Sequence, residues 1–262
     1  MNKRTIFRLV LPAVLTLLSS CLWAQKQPQP KTQKELDALK AWQAATDPDA
    51  RIQAIENVLT NFVDTDFKII LLEDALRLEQ GKRNLAQVIF YGERLLEADP
   101  KNAIALVTLA GETSRNTREF DLDKEEKLAK ADKYAKAALD AAKTMPKPRP
   151  DITDEQWEGV RKDLQAQAYE AMGQTALLRK KSDDAIADYK QAIAVQATPD
   201  PATFVRLGQA YLDAGKLDDA GESFDKAINF PNVNPQVKSI AQAKKDEVAK
   251  RKAAGSKPPG AP

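Results

Sequence analysis

The stretch GQAYLDAGKLDDAGESFDKAI, residues 208–228, has a near copy 35 positions earlier, GQTALLRKKSDDAIADYKQAI at 173–193. Gly173, Gln174, Leu177, Lys181, Asp183, Asp184, Ala185, Ala192 and Ile193 all recur, and Tyr189 stands where Phe224 does. Self-similarity at a period of about 35 residues marks an array of supersecondary units. None of these residues is reactive, so their spacing asks for a packing explanation. Two helices that cross closely need small residues at the crossing and large ones beside it. Gly208 and Ala220 fit the crossing points, with Leu207, Tyr211 and Phe224 filling the space around them and Ala227 one turn further on. Such a pair cannot bury all of its apolar surface alone. It stacks on its neighbours, which makes a solenoid with a concave groove.

From about Leu36 onward the chain keeps helical periodicity and lacks alternating β-branched runs, so the fold class is all-α. The pattern predicts helices at 36–45, 50–62, 66–80, 84–98, 102–117, 123–143, 154–180, 182–195, 201–214, 217–229 and 235–252. Asp123 with Glu126, and Thr153 with Gln156, have the spacing of a capping box at a helix start. The Pro-rich run TMPKPRPDI, 144–152, reads as a stiff linker dividing the helical pairs of 36–143 from the repeats of 153–252, whose last helix caps the array. QKQPQPKTQKE, 25–35, reads as a flexible spacer, and the end of the chain, 253–262, as a disordered tail.

Residues 201–234 resemble a tetratricopeptide repeat. Phe204, Leu207, Gly208 and Tyr211 stand at the helix A positions and Ala220, Phe224 and Ala227 at those of helix B, with Pro231 one place early. Residues 166–199 resemble it through Tyr169, Met172, Gly173, Ala185, Tyr189 and Ala192. The N-terminal half is a more divergent version. Val88 and Gly92 replace the usual Ala and aromatic of helix B, and KLAKADKYAKAALDAA aligns through Ala131 and Ala138 only if about nine extra residues are admitted before it. The resemblance implies a protein-binding scaffold whose groove takes a partner peptide or helix. On it the groove positions are Gln167, Glu170, Gln174, Arg206, Gln209 and Asp213, a mixture of amides and both charges suited to hydrogen bonding a peptide backbone. The Lys and Asn with which some members clamp a terminal carboxylate are absent: Val107, Gly111, Glu170, Gln174, Val205 and Gln209 stand there, and only the neighbouring Arg206 is basic.

Residues 1–24 have the three-part plan of an export signal: basic MNKRTIFR, apolar LVLPAVLTLL, then small residues. That apolar run is too short for a permanent span, which needs about 20 residues. Cleavage after Ala24 and a lipobox, Leu18-Ser19-Ser20-Cys21, that would lipidate Cys21 are both open. Either places the chain in the periplasm, and lipidation would anchor it to the outer membrane through acyl chains. The narrower form of the resemblance is to envelope lipoproteins that assist outer-membrane protein or pilus assembly.

Three of the 40 basic residues, Lys3, Arg4 and Arg8, lie in this segment, so the remainder has 37 bases against 38 acids and offers no electrostatic footprint for nucleic acid. The single cysteine forbids an internal disulfide, and there is no histidine. The commonest general base and metal ligand is therefore missing. Asp183-Asp184 and Asp218-Asp219 fall at helix starts, where acids complement the dipole. DLDKEE, 121–126, lacks the glycine and spaced oxygens of a calcium loop. No catalysis, metal, cofactor or small-molecule substrate is expected; the rival reading is an enzyme or ligand-binding protein that uses surface carboxylates.

One segment exceeds the needs of packing. TSRNTREFDLD, 113–123, is longer than an ordinary repeat turn and carries Arg115, Arg118, Phe120 and Leu122. Long loops on rigid scaffolds are often functional. It either contacts a partner or covers the end of a neighbouring helix.

Overall fold

The computed structural model describes residues 28–255, so the segment expected to be an export signal, Cys21 and the last seven residues lie outside it. Among the described residues eleven helices follow one another: α1 Gln33–Ala44, α2 Pro48–Asn61, α3 Lys68–Lys82, α4 Leu85–Ala98, α5 Ala103–Asn116, α6 Lys124–Thr144, α7 Asp154–Leu178, α8 Ser182–Val195, α9 Pro201–Asp213, α10 Leu217–Ile228 and α11 Pro235–Gly255. Their ends fall within three residues of those expected, because local chemistry sets them. Proline opens α2, α9 and α11, where its missing N–H costs nothing. Thr32, Asp47, Asn102 and Asp200 accept first-turn N–H groups through their side chains. Arg83, Lys180 and Gly215 each have positive φ, and each lies two residues before the second helix of its hairpin. The same left-handed kink thus turns the chain three times.

Thr153 and Gln156 form a reciprocal capping box. Thr153→Ala is expected to cost about 1 kcal/mol in a denaturant titration, the ordinary loss for a cap. The other expected box does not form. Asp123, at φ −100° and ψ 19°, makes no cap bond and pairs with Lys127 at 2.9 Å. Two further boundaries move. Lys31 donates its backbone N–H to Glu35 and α1 starts at Gln33, so the end of the expected spacer is folded. Helix α11 runs three residues into the stretch expected as a tail.

Each hairpin packs on the next, and α5 also touches α3 and α7, so the first helices of the hairpins form a row. The core falls into three clusters in chain order: one from Leu39 through Leu71 and Leu95 to Ala105, one through Ala110, Ala138 and Ala168, and one through Tyr189, Leu212 and Phe224, with Leu96 packed against both of the first two. Helix α11 takes the place of a further first helix. It buries Ala241 and Val248 against α10 and α9 and turns Lys238, Gln242 and Asp246 to solvent.

The repeat-defining residues Gly173, Ala185, Tyr189, Ala192, Leu207, Gly208, Tyr211, Ala220, Phe224 and Ala227 are all buried. The eighth residue of every second helix is buried too: Ile55, Gly92, Ala131, Tyr189 and Phe224. A β-carbon on Gly208 would lie 2.5 Å from the Phe224 ring, and one on Gly173 2.8 Å from that of Tyr189. The α3–α4 hairpin departs from this pattern. Leu76 holds the place of Gly208 and Gly92 that of Phe224, and a β-carbon on Gly92 would lie 2.8 Å from the Leu109 side chain of α5. The space that an aromatic fills in the later hairpins is filled here from the next hairpin.

The second residue of four second helices is an acid that reaches a base one hairpin later: Asp49 to Lys82 at 2.6 Å, Glu125 to Arg179 at 2.9 Å, Asp183 to Lys216 at 2.8 Å and Asp218 to Lys252 at 2.5 Å. These acids sit in first turns, as expected, but also tie neighbouring units. Because the acids are largely exposed, each pair contributes at most about 1 kcal/mol.

Candidate partner-binding groove

Gln167, Glu170 and Gln174 are spaced three and four apart on α7 and share one face of it. Glu170 meets Arg206 of α9 at 3.3 Å and accepts a hydrogen bond from the buried Thr203 hydroxyl. Gln174 Oε1 accepts from the Tyr189 hydroxyl at 3.4 Å. Burial holds that phenol well above its ordinary pKa, so it remains a donor. Glu170, Gln174 and Arg206 thus come together, joined by Ser114 and Arg115 of α5, around a hollow of about 20 Å³. That is room for about one water molecule, not for a metabolite. Gln167, Gln209 and Asp213 do not line it; Gln209 donates instead to Asp213 at 2.7 Å along α9.

Further along the row, α1, α3 and α5 border a wider hollow of about 520 Å³ that sequence reasoning missed. Ile70 and Ile104, one 34-residue period apart, line it with 42% and 37% of their surface exposed. That period was the available signal. Behind them lies Asp74, buried and taking bonds from Trp42 Nε1 at 2.8 Å, Arg51 Nε at 2.5 Å and Arg77. Burial alone would raise its pKa, but these donors outweigh it and hold the carboxyl below the usual range. Glu73 beside it is shifted upward by burial, which the bond from Asn102 only partly offsets.

Helix α5 takes in the first part of the segment 113–123, as the helix expected at 102–117 implies. Helix α5 continues to Asn116, so Arg115 belongs to the helix, paired with Glu112 at 2.6 Å, and only 117–123 form the loop. Ion pairs from Glu119 to Lys180 at 2.8 Å and from Asp121 to Lys127 at 2.9 Å brace that loop, and Arg118 donates its N–H to Asp121. Phe120 and Leu122 are 91% and 108% exposed, so neither covers a helix end.

Among the described residues no cluster of three or more His, Cys, Asp or Glu is placed to hold a metal ion, and no helix is long and apolar enough to cross a membrane. Trp42 and Trp157 are buried, the latter donating to the Met145 carbonyl at 3.2 Å.

Residues 201–232 match the tetratricopeptide repeat family. Among solved structures the chain resembles TTC0263, a thermophilic TPR protein of Thermus thermophilus, at 19% identity over 80% of this chain and 98% of that one, with a TM-score of 0.54. It also aligns with MamA protein at 19% identity over 75% of this chain and 99% of that one, with a TM-score of 0.44. No curated protein matches. The first likeness is one of fold, and it covers far more of the chain than the matched repeat.

Proposed function

We propose that this chain, a tetratricopeptide-repeat protein in its fold and in one matched repeat, is a non-catalytic scaffold of the bacterial cell envelope that holds a partner protein along its row of first helices. The observation that carries the reading is the pair Ile70 and Ile104, left half-open one period apart over a 520 Å³ hollow. A row that repeats an apolar contact at the period of the fold suits an extended segment or a helix laid across several hairpins. Along the same row, Glu170, Gln174 and Arg206, with Gln167, Gln209 and Asp213 nearby, offer polar contacts. The braced loop with Phe120 and Leu122 offers a second contact outside the row.

The envelope setting rests on residues 1–24, outside the described structure. If Cys21 is lipidated, the narrower reading is a lipoprotein of outer-membrane protein or pilus assembly. Crosslinking in the native envelope followed by mass spectrometry tests both parts at once, since the mature N-terminal peptide distinguishes cleavage after Ala24 from lipidation at Cys21. A partner recovered with the wild type is expected to bind about 100-fold more weakly to the Ile70→Ser, Ile104→Ser variant, the loss typical of two apolar anchors. The Phe120→Ser, Leu122→Ser variant reports on the loop. Undiminished binding by the first variant removes the row from the reading, and turnover abolished by single carboxylate substitutions would replace the scaffold by an enzyme.

A further inference from the structure

Between α6, α7 and α8 lies a hollow of about 330 Å³ that takes no part in the groove. Three carboxylates face it, Asp132 from α6 and Asp184 and Asp188 from α8. Asp132 is already held by Arg179 at 2.6 Å and by the Thr175 hydroxyl, and Arg179 is held in turn by Glu125. Asp184 and Asp188, one turn apart, have neither a hydrogen bond nor an ion pair through their side chains among the described residues. The same is true of Lys136 and Lys181, the other charged groups on the walls. Helix α9, which packs on α8 from its other side, puts no residue into the hollow and directs Arg206 to Glu170.

The seat of α8 therefore contains two like charges on adjacent turns, a third across the gap, and no direct partner for the half-buried one. Charges of one sign in a partly dehydrated site repel more strongly than in water. We propose that this junction is a proton-responsive seat: a proton on Asp188 removes one of the crowded charges and lets α8 settle more firmly against α6 and α7. Burial first, then Asp184 and Asp132, push the Asp188 carboxyl up to about 6, and Lys136 offsets this only in part.

The sign follows from linkage. The folded state binds this proton more tightly than the unfolded chain, so the contribution of Asp188 to stability rises as pH falls through about 6 toward the ordinary carboxylate range. The change reaches the groove by a short path. Tyr189, the next residue, fills the space over Gly173 and gives its hydroxyl to Gln174, so a firmer α8 means a firmer wall behind the Glu170 and Gln174 face. The inference concerns the fold and stands whether or not that face binds a partner.

The test compares thermal melts and amide hydrogen exchange of the full chain and its Asp188→Asn variant at about pH 7.5 and about pH 5.5. The variant should melt above wild type at the higher pH, and the gap should narrow at the lower one, closing only toward the ordinary carboxylate range. Exchange in residues 182–195, corrected for its intrinsic pH dependence, should slow about fourfold on acidification in the wild type, as linkage gives for a carboxyl raised to about 6, and stay constant in the variant. An equal pH response in the two proteins overturns the proposal. Should the variant fold poorly, carbon NMR of the wild-type carboxyls decides: Asp188 titrating at about 6, and lower in Asp184→Asn, supports the seat, and titration at an ordinary carboxylate value in wild type overturns it.

Discussion

Gly208→Val is expected to unfold the C-terminal hairpin at temperatures where the rest of the array survives. Phe224 is fully buried and its ring lies 2.5 Å from where a β-carbon on Gly208 would be, so α9 and α10 must separate or the ring must leave its rotamer. Overpacking of this kind costs about 3 kcal/mol. In a linear array the loss stays near the site and its neighbours, so circular dichroism should resolve an early transition and hydrogen exchange should place it in residues 201–255. Gly221→Ala is the matched control. A β-carbon there lies 3.9 Å from Val248, an ordinary contact, and removing an interior helix glycine should stabilise by about 0.5–1 kcal/mol. A wild-type melt for Gly208→Val would mean that the two helices do not cross as described.

At the other end of the chain, Asp74→Ala is expected to destabilise by about 3–5 kcal/mol, the range for removing one member of a buried charge network. The substitution strands Arg51 and Trp42 Nε1 without their shared acceptor. Its pH signature is opposite to that of Asp188. Because the folded carboxyl lies below its unfolded value, the stabilisation is present above the unfolded pKa and is lost as pH falls through the folded one. The difference in stability between wild type and variant should therefore shrink only in acid, well below the range in which Asp188 responds. Taking that difference cancels the neighbouring Glu73, whose upward shift acts in the opposite direction. A variant that melts like the wild type would show that Asp74 carries no net stabilisation.

These two residues also mark what a sequence can show. Gly208 was legible because its partner recurs at a fixed offset in the previous unit, and the starts of α7, α9 and α11 were legible because Thr153, Pro201 and Pro235 act through their own backbone or immediate neighbours. Asp74 carried little signal: Arg77 stands at helical spacing from it, but Trp42 and Arg51 arrive from α1 and α2 at separations set by packing alone. The capping box expected at Asp123 failed since spacing does not determine backbone conformation, and the side chain found Lys127 instead. In the groove, Glu170 and Gln174 could be placed on one face from helical spacing, whereas Ser114 and Arg115 join them only through the register of α5 on α7. The resemblance faded in α3 and α4 for a definite reason. With Gly92 at the aromatic position, Leu109 of the following hairpin fills the space beside it, so the motif is lost while the site stays packed.

The acids at the second position of α2, α6, α8 and α10 also bear on how such a chain can be lengthened or shortened. Each grips a base of the unit that follows, so four of the five joins are specified at the surface as well as in the core, and the join of α4 to α5 lacks such a pair. Excising residues 182–216, one 35-residue period, would bring Lys181 directly before Leu217, set Gly173 opposite Phe224, and leave Asp218 facing Lys252. The chain can therefore be edited in whole links, with α11 as the terminator that each edited version retains, and its reach across a partner is set by the number of links.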